Sequence, residues 1–132
     1  MLTGAVLIYC RQSKSLINSI SFAMIALGGV GSVMVGVFPE NSIGILHLIG
    51  AVLALAVANL GLIMLSFGLK SESSWLRVYA FVTGLVALMS LILFAVGWHE
   101  PLGVGTLERL ASYLYVIWLI IYGAVLVYRE VK

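Results

Sequence analysis

The sequence contains no aspartate, a single cysteine, two prolines and few charged residues of any kind. Only 9% of its 132 residues are charged, against about a quarter in an ordinary soluble domain. So few charges cannot cover the surface of a soluble fold, and the apolar patches left exposed would aggregate. Because 63% of the residues are apolar and the mean hydropathy is +1.19, we predict a protein that uses the lipid bilayer as its solvent.

The same absences limit the chemistry. Without aspartate a Ser/His/Asp triad is excluded, and with Cys10 alone so are an intrachain disulfide and a cysteine metal site. A Ser/His/Glu triad stays open, but no nucleophile elbow is visible, nor is a phosphate-binding loop or a dinucleotide fingerprint. A net charge of +2 without a basic run gives no support for a nucleic-acid partner. We therefore predict no catalytic residue.

Four continuous apolar segments remain, at about 16–37, 44–68, 75–97 and 106–128. Each has about 20 residues or more, enough to cross a bilayer as a helix, and none alternates like a barrel strand. The loops are short, so consecutive helices should be antiparallel. We predict an all-α fold: one integral membrane domain over 1–132, a polytopic bundle of four spanning helices in up-down order.

A short apolar segment precedes the first span. Residues 2–9 would cover only about 12 Å as a helix, which is too short to span. The segment is a half-inserted piece, an interfacial segment or the tail of a longer helix.

Basic residues indicate how the bundle is oriented. Six of the seven fall on one side of the four-helix arrangement, and only Arg109 falls on the other. The six are Arg11, Lys14, Lys70, Arg77, Arg129 and Lys132. Positive charge favours the cytoplasmic side, so we predict a multi-pass protein of the cell membrane with both chain ends in the cytoplasm.

Small residues recur every four positions on the first two spans, which would let helix backbones approach closely. They are Gly28, Ser32 and Gly36 on the first span and Gly50, Ala54 and Ala58 on the second.

Deeper in the membrane, Asn59 either lines a pathway or, as we favour, bonds to a neighbouring helix. On the fourth span, Glu108 and Ser112 share a face with Tyr115, Trp118 and Tyr122, and this face should turn toward protein.

The ionisable residues at the outer ends of the spans form the candidate site. The predicted cluster consists of Glu40, His47, His99, Glu100, Glu108 and Arg109. Antiparallel helices would bring their two loops together, and ionisable groups at membrane depth usually face the bundle interior or water.

Three interpretations of this cluster stay open. In the first, Arg109 neutralises Glu108 or Glu40, and His47 bonds to the loop at 38–41. The cluster then has a structural role and holds the outer helix ends in place. In the second, Glu40, His47 and Glu108 bind a divalent metal such as zinc, although no tight ligand motif is present. In the third, a carboxylate and a histidine handle protons.

Two motifs resemble those of a known family. The stretch from Gly36 to Glu40 (GVFPE) is followed by His47, and the stretch from Gly103 to Arg109 (GVGTLER) is followed by an aromatic helix. This pattern, over about residues 18–128, resembles the bacterial and archaeal membrane family called domain of unknown function 998. The resemblance implies a polytopic helical membrane protein with no established activity.

The resemblance also marks positions in this chain. Pro39, Glu40, His47, Glu108 and Arg109 match the family motifs and coincide with most of the polar cluster. Typical members look like six-helix proteins, so residues 1–10 would be the end of a second helix. A bundle short of helices implies a partner, either another membrane subunit or a second copy of the chain.

Two functions follow as predictions. The first is a non-enzymatic structural or accessory subunit that packs against other membrane helices, without a cofactor. The alternative is an outer-leaflet enzyme, metal-dependent or acid/base, or a small-molecule binder, using Glu40, His47, Glu108 and Arg109.

Overall fold

The computed structural model describes residues 2–11, 15–70 and 72–131. These residues form an all-helical bundle without a strand, as predicted. The helices are α1 (Leu2–Arg11), α2 (Leu16–Val37), α3 (Gly44–Gly68), α4 (Ser74–Ala95) and α5 (Val104–Val131). Four of them, α2 to α5, are long and apolar enough to cross a membrane.

The helix boundaries follow from local chemistry. α2 and α3 begin and end at the predicted residues, and the Ser15 side chain caps α2 by accepting from the Asn18 N–H. α4 ends at Ala95 rather than at 97, because Gly97 with φ +77° leaves the helical region. Gly103, with φ +79°, precedes α5, which starts two residues earlier than predicted and continues three residues beyond the predicted end at 128.

The helices follow one another around the bundle, and α1 closes it by packing against both α2 and α5. A Cβ built on Gly29, near the middle of α2, would lie 2.9 Å from the backbone nitrogen of Leu2. α1 therefore runs beside one half of α2, with Ala5 completely buried. The short apolar segment is thus a helix packed within the bundle.

The two ends of the bundle differ in charge. We call the end that carries the Arg11 side of α1, the loop between α3 and α4, and the last turn of α5 the basic end; Arg11, Lys70, Arg77 and Arg129 lie there. Lys14 and Lys132 lie outside the described residues. The opposite end, with the loops at 38–43 and 96–103, is the histidine end. That the basic end faces the cytoplasm stays a prediction.

Close backbone contact between α2 and α3 depends on glycine. A Cβ on Gly31 would lie 2.5 Å from the Gly50 carbonyl oxygen, and one on Gly28 would overlap the Ala58 side chain. The predicted stripe is wrong at Gly36, where a Cβ would meet nothing within 4 Å. The contact follows Gly31 instead and continues to Met34 and Val35, which lie against Gly50, whereas Gly36 is exposed.

The middle of α3 departs from α-helical geometry. Val52–Val57 forms a π-helical turn, in which the Ala58 N–H donates to the Leu53 oxygen five residues back. The Asn59 side chain donates to the Leu55 oxygen within this turn and to the Ala111 oxygen on α5, both at 2.7 Å. Asn59 therefore joins two helices, as we favoured from the sequence.

The core lies between the helices on the inner face of α5. Tyr115, Trp118 and Tyr122 are at most 1% exposed and pack with buried leucines such as Leu62 and Leu65 of α3. The predicted protein-facing aromatic face is confirmed for these three residues. Glu108 departs from it and is exposed, because the buried face continues through Leu107 and Ala111.

Candidate functional site

A cavity of about 360 Å³ lies at the histidine end between α2, α3 and α5. Its volume is within the range of about 300–1,000 Å³ that is typical of small-molecule sites. The Cα atoms of α2 and α5 do not approach within 8 Å of each other anywhere in the described chain. The cavity therefore separates these two helices, and α3 forms its third wall.

Each wall contributes polar and apolar side chains. α2 contributes Ser32 and Val35. α3 contributes His47, Ala51, Ala54 and Leu55, the last two from the π turn. α5 contributes Gly105, Glu108, Arg109, Ser112 and Tyr113. π-helical turns are rare and frequently occur at functional sites. The π turn in the α3 wall therefore supports a functional role for this cavity.

His47 is held by the preceding loop. Its Nδ1 lies 2.9 Å from the Phe38 carbonyl oxygen, which confirms the predicted bond to the loop at 38–41. A carbonyl oxygen only accepts, so Nδ1 must carry the hydrogen. In the neutral imidazole Nε2 is then an acceptor, and the structure gives it no hydrogen bond within the described chain.

Arg109 lies over the first turn of α5. A Cβ built on Gly105 would be 3.5 Å from its Nη1, so the guanidinium extends back toward the helix start. Neither Glu108 nor Glu40 lies within ion-pair distance of it; the two ion pairs between described residues are elsewhere. The ion pair expected from the first interpretation is therefore not formed.

The hydroxyl groups of the cavity bond to the protein itself. Ser112 Oγ donates to the Glu108 backbone oxygen at 2.9 Å, and Ser32 Oγ donates to the Gly28 oxygen at 3.0 Å. The Ser32 and Tyr115 hydroxyls also meet at 3.4 Å across the gap between α2 and α5. Recognition of a polar ligand is therefore left chiefly to His47, Glu108 and Arg109.

The other three members of the predicted cluster lie outside the cavity. Glu40 and Glu100 are exposed in the loops. His99 packs on Phe94, with ring centroids 6.2 Å apart, and its Nε2 lies 3.4 Å from the Phe94 oxygen. The structure thus brings together three of the six predicted residues.

The metal interpretation has no assembled site in the described residues. No group of three or more His, Cys, Asp or Glu side chains among residues 2–11, 15–70 and 72–131 is placed to hold a metal ion. The predicted set of Glu40, His47 and Glu108 is not assembled, since only the last two line the cavity.

The basic end contains a polar network that the sequence did not reveal. The Glu72 carboxylate, whose side chain is 7% exposed, accepts from the Tyr122 hydroxyl at 2.9 Å and from Arg129 Nη1 at 2.6 Å. A second ion pair joins Arg11 to Glu130. The available signal was the seven-residue spacing of Tyr122 and Arg129, which places both on one helix face near the only acid of the loop at 69–73.

The comparisons with known proteins place this architecture in a family. The model of the family described as "Protein of unknown function (DUF998)" matches residues 1–125. The chain belongs to this family. No curated protein and no solved structure matches it.

The DUF998 match confirms the resemblance seen in the two motifs and extends it to the start of the chain. It includes α1 to α4, every residue that lines the cavity, and all of α5 up to residue 125. Since the family description assigns no function, a role for this DUF998 protein must come from the chemistry of the cavity.

Proposed function

We propose that this multi-pass membrane protein binds an amphiphilic small molecule in the cavity at the histidine end. The observation that carries the proposal is the meeting of His47, Glu108 and Arg109 at one cavity without an ion pair among them. Charged side chains near a membrane usually pair with one another or serve a ligand or pathway. A bound molecule supplies the partners that the described chain does not.

The depth of the lining residues supports an amphiphile. At 1.5 Å per residue, His47 and Arg109 lie about 5 and 8 Å from the starts of α3 and α5, close to the headgroup level. Ala54 lies about 15 Å from the start of α3, near the middle of a 30 Å core. The polar groups are thus at the mouth, and apolar side chains such as Val35 and Leu55 continue the wall inward.

A cavity-filling variant tests the proposal. Ala51 is partly buried and lines the cavity, whereas Ala95 is exposed at the same end and does not line it. Wild type, Ala51→Phe and the matched control Ala95→Phe would be purified in mild detergent and compared by native mass spectrometry. We expect an amphiphile to be retained by wild type and by Ala95→Phe and lost from Ala51→Phe. Equal retention by all three proteins would contradict the proposal.

The accessory-subunit hypothesis stays a prediction, and the structure defines a surface on which to test it. An open groove of about 600 Å³ runs between α1 and α5, lined by apolar side chains and bordered by Arg11 and Glu130. Gly4 lies inside the groove and Gly36 lies outside it. At either position an added Cβ would meet nothing within 4 Å, so both accept a larger side chain. If a partner helix occupies the groove, Gly4→Leu should reduce co-purification of that partner from native membranes, and Gly36→Leu should not.

A further inference from the structure

The cavity presents one cation, one anion and one neutral acceptor. Arg109 carries the positive charge, Glu108 carries the negative charge, and His47 offers Nε2 as an acceptor because Nδ1 bonds to Phe38. Neither charge has an ion-pair partner in the described chain, and both residues are exposed. Both are therefore available to a ligand that brings an anionic group and hydrogen-bond donors.

We infer that the ligand is a phospholipid whose headgroup carries a phosphate and a primary ammonium, the chemistry of phosphatidylethanolamine. This inference rests on the proposed function and specifies its ligand. The lipid enters by the half of the bilayer at the histidine end, with its headgroup at the cavity mouth and its acyl chains along the apolar wall.

Arg109 binds the phosphate. A guanidinium matches the geometry of phosphate oxygens and donates two hydrogen bonds at once. The placement of Nη1 above Gly105, in the first turn of α5, keeps the group at headgroup level, where phosphates lie.

Glu108 and His47 bind the ammonium. An ionised carboxylate only accepts hydrogen bonds, and so does Nε2 of the neutral imidazole. An –NH3+ group supplies three donors, enough for both partners. The charge of Glu108 also disfavours a headgroup that is only anionic, because a like charge would face it without compensation.

A quaternary ammonium fits less well. It has no N–H to give to Glu108 or His47, and proteins recognise it through cages of several aromatic rings. Tyr113 is the only phenylalanine, tyrosine or tryptophan among the residues that line this cavity. The structure therefore favours ethanolamine over choline headgroups.

Lipid retention in nanodiscs tests the inference. Wild type would be reconstituted in an equal mixture of phosphatidylethanolamine, phosphatidylcholine and phosphatidylglycerol with identical acyl chains, and the retained lipid measured by native mass spectrometry. We expect ethanolamine lipid to be preferred over choline lipid about tenfold, the size expected for charge-assisted hydrogen bonds.

Charge-removing variants assign the groups. Glu108→Gln should abolish the preference for ethanolamine over choline and should raise retention of phosphatidylglycerol above that of wild type. Arg109→Gln should lower retention of all three lipids. Lys70→Gln, which removes an exposed charge at the basic end, is the matched control and should change nothing. Unchanged thermal unfolding verifies that each variant is folded.

Other outcomes separate the possible failures. Two results overturn the inference but leave the proposed function intact. Either wild type retains as much phosphatidylglycerol as phosphatidylethanolamine, or the Glu108→Gln variant keeps the ethanolamine preference. Displacement of the lipid by an equal concentration of free phosphoethanolamine overturns the assignment to a lipid. If no lipid exceeds its bulk share in wild type, the inference fails and the proposed function stands, provided that wild type retains another amphiphile that Ala51→Phe loses. If Ala51→Phe retains as much amphiphile as wild type, the proposed function itself fails.

Discussion

The two ends of the bundle differ in whether their acidic side chains form ion pairs. At the basic end, Glu72 is nearly buried and bonds to both Tyr122 and Arg129, and a second ion pair joins α1 to α5. At the histidine end, Glu108 and Arg109 are adjacent in the sequence, and neither forms an ion pair with a described residue. α1 bridges α2 and α5 toward the basic end, whereas a cavity separates these two helices at the other.

This difference indicates a division of roles. The Glu72 side chain is 7% exposed, and removing the partner of a nearly buried charge is costly, whereas the exposed Arg11–Glu130 pair contributes little. Unpaired charges around a cavity contribute little to stability and are available to a ligand. We therefore expect removal of the Glu72 charge at the basic end to affect unfolding, and removal of the Glu108 or Arg109 charge at the histidine end to affect binding.

The largest difference in stability should come from replacing one alanine by phenylalanine in each half of the bundle. Ala5 of α1 is completely buried, so Ala5→Phe should destabilise the fold by about 3 kcal/mol through overpacking. Ala51→Phe, which extends into the cavity, should cost less than about 1 kcal/mol because space is available. Unfolding in detergent micelles would measure both; equal costs would show that the cavity is as tightly packed as the α1 contact.

Neutralising one acid at each end gives the next contrast. Glu72→Gln removes the charge that Arg129 and Tyr122 contact, so we expect a loss of about 2 kcal/mol, since hydrogen bonds to charged groups are the stronger ones. Glu108→Gln should change stability by no more than about 0.5 kcal/mol, the usual range for an exposed substitution. A large loss in Glu108→Gln would indicate a structural ion pair at the histidine end. The same unfolding assay serves both variants.

The loop before α5 should depend on backbone conformation rather than on charge pairing. Gly103 has φ +79°, a region in which an L side chain costs about 1–2 kcal/mol. Gly103→Ala should therefore destabilise by about 1.5 kcal/mol. Gly44→Ala is the control, because Gly44 has no positive φ and a Cβ there meets nothing within 4 Å. Melting temperatures that fall equally in both variants would contradict this explanation.

A smaller loss than that of Gly103→Ala is expected at His47. His47→Ala removes one hydrogen bond, to the Phe38 oxygen, and should cost about 1 kcal/mol. His47→Asn, which keeps a side-chain donor, should recover part of this loss. If both variants were as stable as wild type, the bond would not hold the loop at 38–41.

Most of the fold could be predicted from the sequence because lipid imposes simple requirements. Continuous apolar runs set the limits of α2 and α3 to the residue, and the paired glycines on these helices indicated close contact. α5 was underestimated, because Arg129 and Glu130 are good helix formers that continue the helix beyond the apolar stretch and then join ion pairs. Composition alone does not show where a polar helix end stops.

The site could be predicted only in part. Antiparallel topology correctly grouped His47 with Glu108 and Arg109, but it gave no depth or direction, so Glu40, Glu100 and His99 were included as well. Glu72 was missed because its partners lie 50 and 57 residues away, and their distance depends on how α4 and α5 pack. The π turn has no signature in the stretch Val52–Val57, which reads as an ordinary apolar helix.

The π turn of α3 carries one residue more than an α-helical turn would hold. Because its hydrogen bonds close five residues apart, the extra residue is taken up within Val52–Val57. Deleting one residue there would let the turn close as a regular α-helix, with Asn59 and Gly61 still on α5 and α2 and the direction of His47 unchanged. Deleting one residue from the regular part of α3 between His47 and Val52 would instead rotate the imidazole by about 100°. Of these two deletions, only the second would separate membrane insertion from ligand recognition.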